Sequence, residues 1–348
     1  MRSGQIGPHL LRNAAVLAVA MFLVSASATR AAKTETFVPI TIQYPGSAST
    51  AARGINNSGD IVGTYVCAVA CVNPVTGETS TPGMHGFLLQ DGAYTRIDVP
   101  GGTGTVPRGT SERGSIVGHY NVGNVTHGFA YFEGFYLYPI DVPAEDFDHP
   151  ASPLRDTLLV RISPKGDIVG CFHEDNQAMT TMHGFLLHHG KFTVLITPHN
   201  ADDRSSHDPD TMNNGVASTG EIVGFYLSSG VSYTAKRNVI ATTFTFEGNL
   251  FTLAWDVNAR GDIVGVHGEN QAKTVGAPVN PHGFLRTKDG EYRSLDVHGA
   301  MSTQVFGING LRDIVGSSTD AKGTHGFVYR LKLDDRRDDE DERDDRDQ

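Results

Sequence analysis

Gly54-Ile55-Asn56-Asn57-Ser58-Gly59-Asp60-Ile61-Val62-Gly63 decides the fold, because its second half returns five more times along the chain. The copies are residues 114–118, with Ser115 for the acid, 166–170, 220–224 with Glu221, 261–265, and 312–316 with Arg312 for the first glycine. A glycine and a small polar residue mark a tight turn, and Ile-Val opens a strand. A Gly-Ile-Asn run just upstream, at 54–56 and again at 307–309, supplies a further strand.

Two other signatures alternate with this one. His-Gly-Phe stands at 85–87, 127–129, 183–185, 282–284 and 325–327, with Thr243-Phe244 read as the eroded sixth copy. An aromatic-rich strand ending near Ile-Asp-Val-Pro stands at 97–100, 140–143, 195–198 and 295–298; a degraded copy is read at 250–255 and an opening copy at 40–45. The chain enters at this third signature and leaves after the second. The last repeat therefore lacks the strand with which the first begins, and pairing the two ends completes it. Short strands, frequent turns, 40 glycines and no sustained helical stripe predict an all-β fold. The expected form is a six-bladed β-propeller of four-stranded antiparallel blades, closed by pairing of the N-terminal strand with the last repeat.

The ends read differently. Arg2 and Arg12, an apolar stretch over 14–24 and Ser25-Ala26-Ser27-Ala28 have the three regions of a secretory signal, with cleavage expected after Ala28. The apolar stretch is shorter than the roughly 20 residues of a membrane span, so no span is expected. Residues 334–348 hold ten acids, four arginines and nothing apolar, which predicts a disordered acidic tail. The tail carries −6 and the first 28 residues +2, so −7 of the total −11 falls on the single domain expected over 29–333. That balance argues against nucleic acid as a partner, since phosphate binding asks for a basic surface. A secreted monomer, extracellular or periplasmic, is expected.

The run at 54–63 and His85-Gly86-Phe87-Leu88 resemble the HAF-type extracellular repeat of bacterial secreted proteins, over roughly residues 37–330. The resemblance implies secretion and tandem repetition, and brings no activity or catalytic residue with it. The family triplet has alanine in the middle, where all five full copies in this chain have glycine, which argues for close packing between sheets.

Candidate chemistry divides into repeated and unrepeated residues. The five histidines His85, His127, His183, His282 and His325 could ring a channel as metal ligands, and the acids Asp60, Asp167, Glu221, Asp262 and Asp313 could line a calcium site. A group required in every blade is first required by the blade, so both sets are read as structural: the histidines on buried backbone groups, the acids capping turn amides. Long insertions at 66–84, 144–158, 171–182, 199–214, 228–241 and 267–281 are expected on one face, where a rigid scaffold presents its binding groups. Within them Asp146, Asp148 and His149, then Asp202, Asp203, His207 and Asp208, form the candidate ligand-binding set. His173, Glu174 and Asp175 add a third group. Carboxylate with imidazole suits a divalent metal, and paired carboxylates suit hydrolysis of a glycosidic bond; solvated polar loops are the competing reading. Cys67 and Cys71 either form a local disulfide or stay unpaired, and Cys171 is left over. The expected role is a non-enzymatic binding module for an extracellular glycan or protein. The alternatives are a hydrolase or lyase acting on an extracellular polymer, and a structural surface protein.

Overall fold

The computed structural model describes residues 35–143, 156–173, 182–195, 211–226, 229–234, 239–247, 251–269 and 279–333, which fall within one compact unit, Glu35–Leu333. The fold is an all-β propeller with four-stranded antiparallel blades. Four of the blades are separate sheets, each running outward from its innermost strand: Thr103–Thr110, Ile116–Val122, Val125–Phe132 and Phe135–Ile140; Asp156–Ile162, Ile168–His173, Met182–His188 and Lys191–Leu195; Thr211–Val216, Glu221–Tyr226, Ser229–Thr234 and Val239–Phe244; Phe251–Val257, Ile263–Glu269, Val279–Arg286 and Tyr292–Ser294. Of the remaining strands, Cys71–Val72 and Thr79–Ser80 form a small two-stranded sheet of their own, and eight share one sheet. One half is Ser49–Ile55, Ile61–Cys67, Gly83–Gln90 and Ala93–Ile97; the other is Ser302–Ile308, Ile314–Asp320, Gly323–Leu333 and the N-terminal Glu35–Ile42. A single parallel pair, Ser49 with Thr324, joins the halves. The expectation of six separate blades is thus met by four, with two more repeat units in the shared sheet. In chain order of their innermost strands the units are called first to sixth.

Both faces of a unit are covered by its neighbours, so the second strands read as continuous apolar runs rather than alternating ones: Ile61, Val62 and Tyr65 are all buried, as are Ile116, Val117 and Tyr120. The glycine that closes the first signature has a steric cause. A Cβ on Gly63 would lie 2.0 Å from the Ala51 carbonyl oxygen and 2.9 Å from the Phe87 ring, and one on Gly118 would lie 2.1 Å from the Val106 oxygen. The middle glycine of His-Gly-Phe faces the next unit: on Gly86 a Cβ would meet Pro107 Cδ at 2.5 Å. This is the close sheet packing that glycine in place of alanine suggested.

Every innermost strand also carries a register shift at the same place, between residues 52 and 54, 107 and 109, 159 and 161, 213 and 215, 254 and 256, and 305 and 307. The bulged residues are Arg53, Arg108, Val160, Asn214, Trp255 and Phe306. A bulge re-aims side chains and bends its strand, here at the centre of the molecule. A threonine near the start of the innermost strand recurs as well. The Oγ1 atoms of Thr50, Thr105, Thr157, Thr252 and Thr303 accept from the backbone N–H of Tyr44, Val99, Val142, Phe246 and Val297 at 3.0–3.1 Å. Each bond ties the end of one unit's outermost strand to the next unit's innermost strand.

The fourth unit corrects the sequence reading. Val231 lies opposite Gly224 as Phe87 lies opposite Gly63, so the eroded His-Gly-Phe copy is Ser229-Gly230-Val231. Phe244 pairs with Gly230 as Ile97 pairs with Gly86, so Thr243-Phe244 belongs to the outermost strand. Residues 250–255 likewise do not end a unit: Phe251–Val257 opens the fifth. The segment 228–241, expected as a long insertion, is mostly the third strand and the start of the fourth. Periodicity mislaid it because the copy lost both its histidine and its phenylalanine, leaving only Gly230 as a marker.

Candidate functional site: the central channel

Among the expected ligand-binding residues, Asp146, Asp148, His149, Asp202, Asp203, His207 and Asp208 all lie outside the described residues, as do Glu174 and Asp175, the N-terminal 28 residues and the acidic tail. His173 is described, and its Nδ1 lies 3.8 Å from the Asp156 carboxylate. Cys67 and Cys71 form a disulfide with Cα atoms 5.6 Å apart. Cys171 is a free, buried thiol, and burial pushes its pKa up to about 12. Among the described residues no group of three His, Cys, Asp or Glu is placed to hold a metal.

Three of the repeated histidines are tied to aspartates of the third signature. His85 Nδ1 bonds the Asp98 carboxylate at 2.7 Å, His127 that of Asp141 at 2.7 Å, and His282 that of Asp296 at 2.9 Å. The second oxygen of each carboxylate accepts the N–H of the following glycine, Gly86, Gly128 and Gly283. Each aspartate is the one in the Ile-Asp-Val-Pro signature, so the second and third signatures are two halves of one clamp. In the sixth unit Gln43 replaces the aspartate and bonds His325 at 2.8 Å. The main partner is therefore a side chain and not the buried backbone group expected, although His85 Nε2 does bond the Thr81 carbonyl at 2.8 Å.

Three acids of the first signature are held by asparagine, while Asp167 takes Ser163 and His188 as partners and Glu221 takes Ser232. Asn56 Oδ1 accepts the Asp60 N–H and Asn56 Nδ2 donates to the Asp60 carboxylate, both at 2.9 Å; Asn258 with Asp262 and Asn309 with Asp313 repeat the pattern. It is the asparagine, not the acid, that caps the turn amide. The same Nδ2 atoms reach the next unit: Asn258 donates to the Asn309 carbonyl, Asn309 to that of Asn56, and Asn56 to that of Ser111. Arg312 binds Asp262 of the preceding unit through two bonds, at 2.7 and 2.9 Å. Burial works against that carboxylate, but Arg312 and Asn258 hold it below the usual range.

With the repeated groups accounted for, the unrepeated ones converge at the centre. The position just after each bulge is Gly54, Gly109, Arg161, Gly215, Asp256 and Gly307. Four glycines let neighbouring backbones approach closely, and Arg161 and Asp256 stand at the other two positions. Gly54 shows the fit: a Cβ there would lie 2.6 Å from the Arg108 carbonyl oxygen and 2.9 Å from the Arg161 guanidinium. The buried Arg161 donates from Nη1 to the carbonyls of Arg108 at 2.7 Å and Arg53 at 3.3 Å, and from Nη2 to that of Phe306 at 2.6 Å. Its Nε faces the Asp256 carboxylate at 3.2 Å, an ion pair without hydrogen-bond alignment. Burial raises the Asp256 pKa, with Arg161 and the N–H groups of Ile308 and Val257 opposing. One guanidinium thus holds the bulge carbonyls of three units and plugs the axis. On the hairpin side of the plug is a cavity of about 80 Å³ that the turns of all six units line, Asn57, Glu112, Pro164, Ser218, Asn258 and Gly310 among them. It has room for a few waters and is well short of the several hundred cubic ångströms of a typical small-molecule site.

The bulge level holds a second arrangement. Arg53 lies over the Phe306 ring, 5.0 Å from its centroid, and Arg108 over Trp255 at 5.8 Å. Arg108 Nε donates to His119 Nδ1 at 3.3 Å. Burial and the neighbouring Arg108 lower the Arg53 pKa to about 9; burial lowers that of Arg108 to about 10; burial and the two arginines hold His119 well below the usual histidine range. None of these residues was singled out by the sequence reading. The signal that was available lies six residues before the turn glycine or its equivalent in each copy of the first signature, a bulge position where arginine, tryptophan and phenylalanine stand at 53, 108, 255 and 306.

No family model matches the chain, and no curated protein matches it in sequence. Solved structures are similar in fold at low identity. A gluconolactonase from Xanthomonas campestris aligns over 85% of this chain and 90% of its own at 9% identity and a TM-score of 0.47. A second, described only as a gluconolactonase by assignment, aligns over 85% and 93% at 12% identity and 0.46. The fucose-specific lectin of Aleuria aurantia aligns over 84% and 96% at 9% identity and 0.45.

Proposed function

We propose that the chain is a secreted, non-enzymatic binding module, a closed ring of six blades that recognises an extracellular glycan or protein through the face carrying its long connections. One observation carries the reading. The titratable groups that repeat are committed to the scaffold, His85, His127 and His282 to aspartates and Asp60, Asp262 and Asp313 to asparagines, so ligand chemistry falls to the residues that differ from unit to unit. The six-blade count divides the eight-stranded sheet at its single parallel pair. Closure is supported by the eight-residue pairing of Glu35–Ile42 with Gly326–Leu333 and by the bonds from Asn309 and Gly310 to Asn56 and Asn57. Secretion is supported by the signal-like N-terminus and the Cys67–Cys71 bridge, which suits an oxidising compartment. The HAF-type resemblance points the same way.

The candidate groups are Asp146, Asp148, His149, Asp202, Asp203, His207 and Asp208, with a divalent metal as the ion their carboxylates and imidazoles suit. The test is a glycan array read for both capture and product release, with a thermal-shift titration of calcium, manganese and zinc on the wild type and on Asp146→Ala with Asp203→Ala. Capture without turnover, and a metal-dependent rise in melting temperature that the variant loses, are expected. Product release would replace the module with a hydrolase or lyase. No capture and no metal effect would leave these loops as solvated surface.

A further inference from the structure

The two bulge arginines present an unusual charge balance. The bulge level and plug hold three guanidiniums, Arg53, Arg108 and Arg161, against one carboxylate, Asp256. Asp256 faces Arg161. Among the described residues no carboxylate lies within ion-pair distance of Arg53 or Arg108, although the chain as a whole is acidic. Their Nε atoms have neutral contacts, with Thr64 Oγ1 at 3.4 Å and His119 Nδ1 at 3.3 Å, and their terminal nitrogens have no acceptor among the described residues. Both side chains are partly buried, and their backbones are held together by the one Nη1 atom of Arg161 that both carbonyls share. The indole N–H of Trp255, on the same level, is buried without an acceptor among the described residues.

Like charges fixed together away from bulk water repel, and an unpaired buried charge is costly. The lowered pKa values of both arginines report that cost. Guanidiniums with free terminal N–H groups, backed by aromatic faces, are the donors that bind planar and tetrahedral oxyanions through paired hydrogen bonds.

We propose that Arg53 and Arg108, with the Trp255 N–H, form an anion-binding site at the bulge level of the channel that takes an oxyanion group, a phosphate, sulfate or carboxylate. The site stands on the side of the Arg161–Asp256 plug away from the hairpin turns, toward Thr64 and His119, and its ligand is opposite in charge to the cation proposed for the loop carboxylates. It would admit the acidic group of a ligand docked on that face or a free inorganic anion.

Trp255 is the one tryptophan of the chain, so its emission reports directly on the site. The experiment titrates sodium phosphate, sulfate and acetate into the full chain at constant ionic strength set with sodium chloride, following emission and melting temperature. The wild type is compared with Arg53→Gln and Arg108→Gln, and with the exposed Arg113→Gln as control. The expected result is a saturable change in emission and a rise in melting temperature with at least one oxyanion, retained in Arg113→Gln and weakened at least tenfold in both channel variants. Preference for phosphate and sulfate marks a tetrahedral dianion, and preference for acetate marks a carboxylate. If every anion matches the chloride control, or the channel variants respond as the wild type does, the proposal falls. Should a variant fail to fold, the wild-type titration still decides.

Discussion

At the level of single residues, the histidines are half of a clamp whose other half lies about a dozen residues downstream. Asp98 receives both the His85 ring and the Gly86 N–H, so it fixes the third strand of its unit against the segment that leaves the fourth. A hydrogen bond to a charged group contributes roughly 1.5–3 kcal/mol, less where water competes. His85→Ala and Asp98→Ala are each expected to lower stability by roughly 1–3 kcal/mol. The double variant should fall short of their sum by about 0.5–3 kcal/mol, as members of one network do. Denaturant unfolding of the four proteins checks this, and strict additivity would mean that the two side chains act separately. The same cycle on His282 and Asp296 should give about 1 kcal/mol or less, because those side chains are 47% and 39% exposed against 11% and 28% for the first pair.

At the level of elements, the N-terminal strand is the outer strand of the sixth unit, whose other three strands come from the far end of the chain. Glu35 to Ile42 pair in register with Leu333 to Gly326, and Phe37 packs on Tyr329 with ring centroids 6.2 Å apart. The strand also leads into Tyr44, fully buried and stacked on Tyr65 in the first unit. Removing residues 29–42 should expose the edge of Gly323–Leu333 and lower the melting temperature by several degrees, with self-association detectable by light scattering. A truncated protein that remains monomeric with an unchanged transition would show that the pairing contributes nothing to the domain.

At the level of the whole molecule, one side chain joins units that are remote in sequence. Arg161 holds carbonyls of the first, second and sixth units and faces a carboxylate of the fifth. Its truncation in Arg161→Leu would leave Asp256 buried without its cation and three carbonyls without a donor, so the cost is expected at about 3–5 kcal/mol, as for a broken buried pair. Thermal unfolding checks it, and a loss below about 1 kcal/mol would mean that water enters and substitutes for the guanidinium. Legible along the chain is whatever repeats: strand, turn and close-packing glycine each leave a local pattern, so Gly59 to Gly63 and His85 to Phe87 announce four-stranded antiparallel units before any contact is known. The fourth unit was misread where that pattern had worn away to Gly230. The partners were beyond it. Asp98 sits in one signature and His85 in another, and no periodicity says that they touch. Folding alone brings residues 53, 108, 161, 256 and 306 to one axis, because the bulges that aim them are made by strand pairing and the glycines that admit them act through space rather than along the chain.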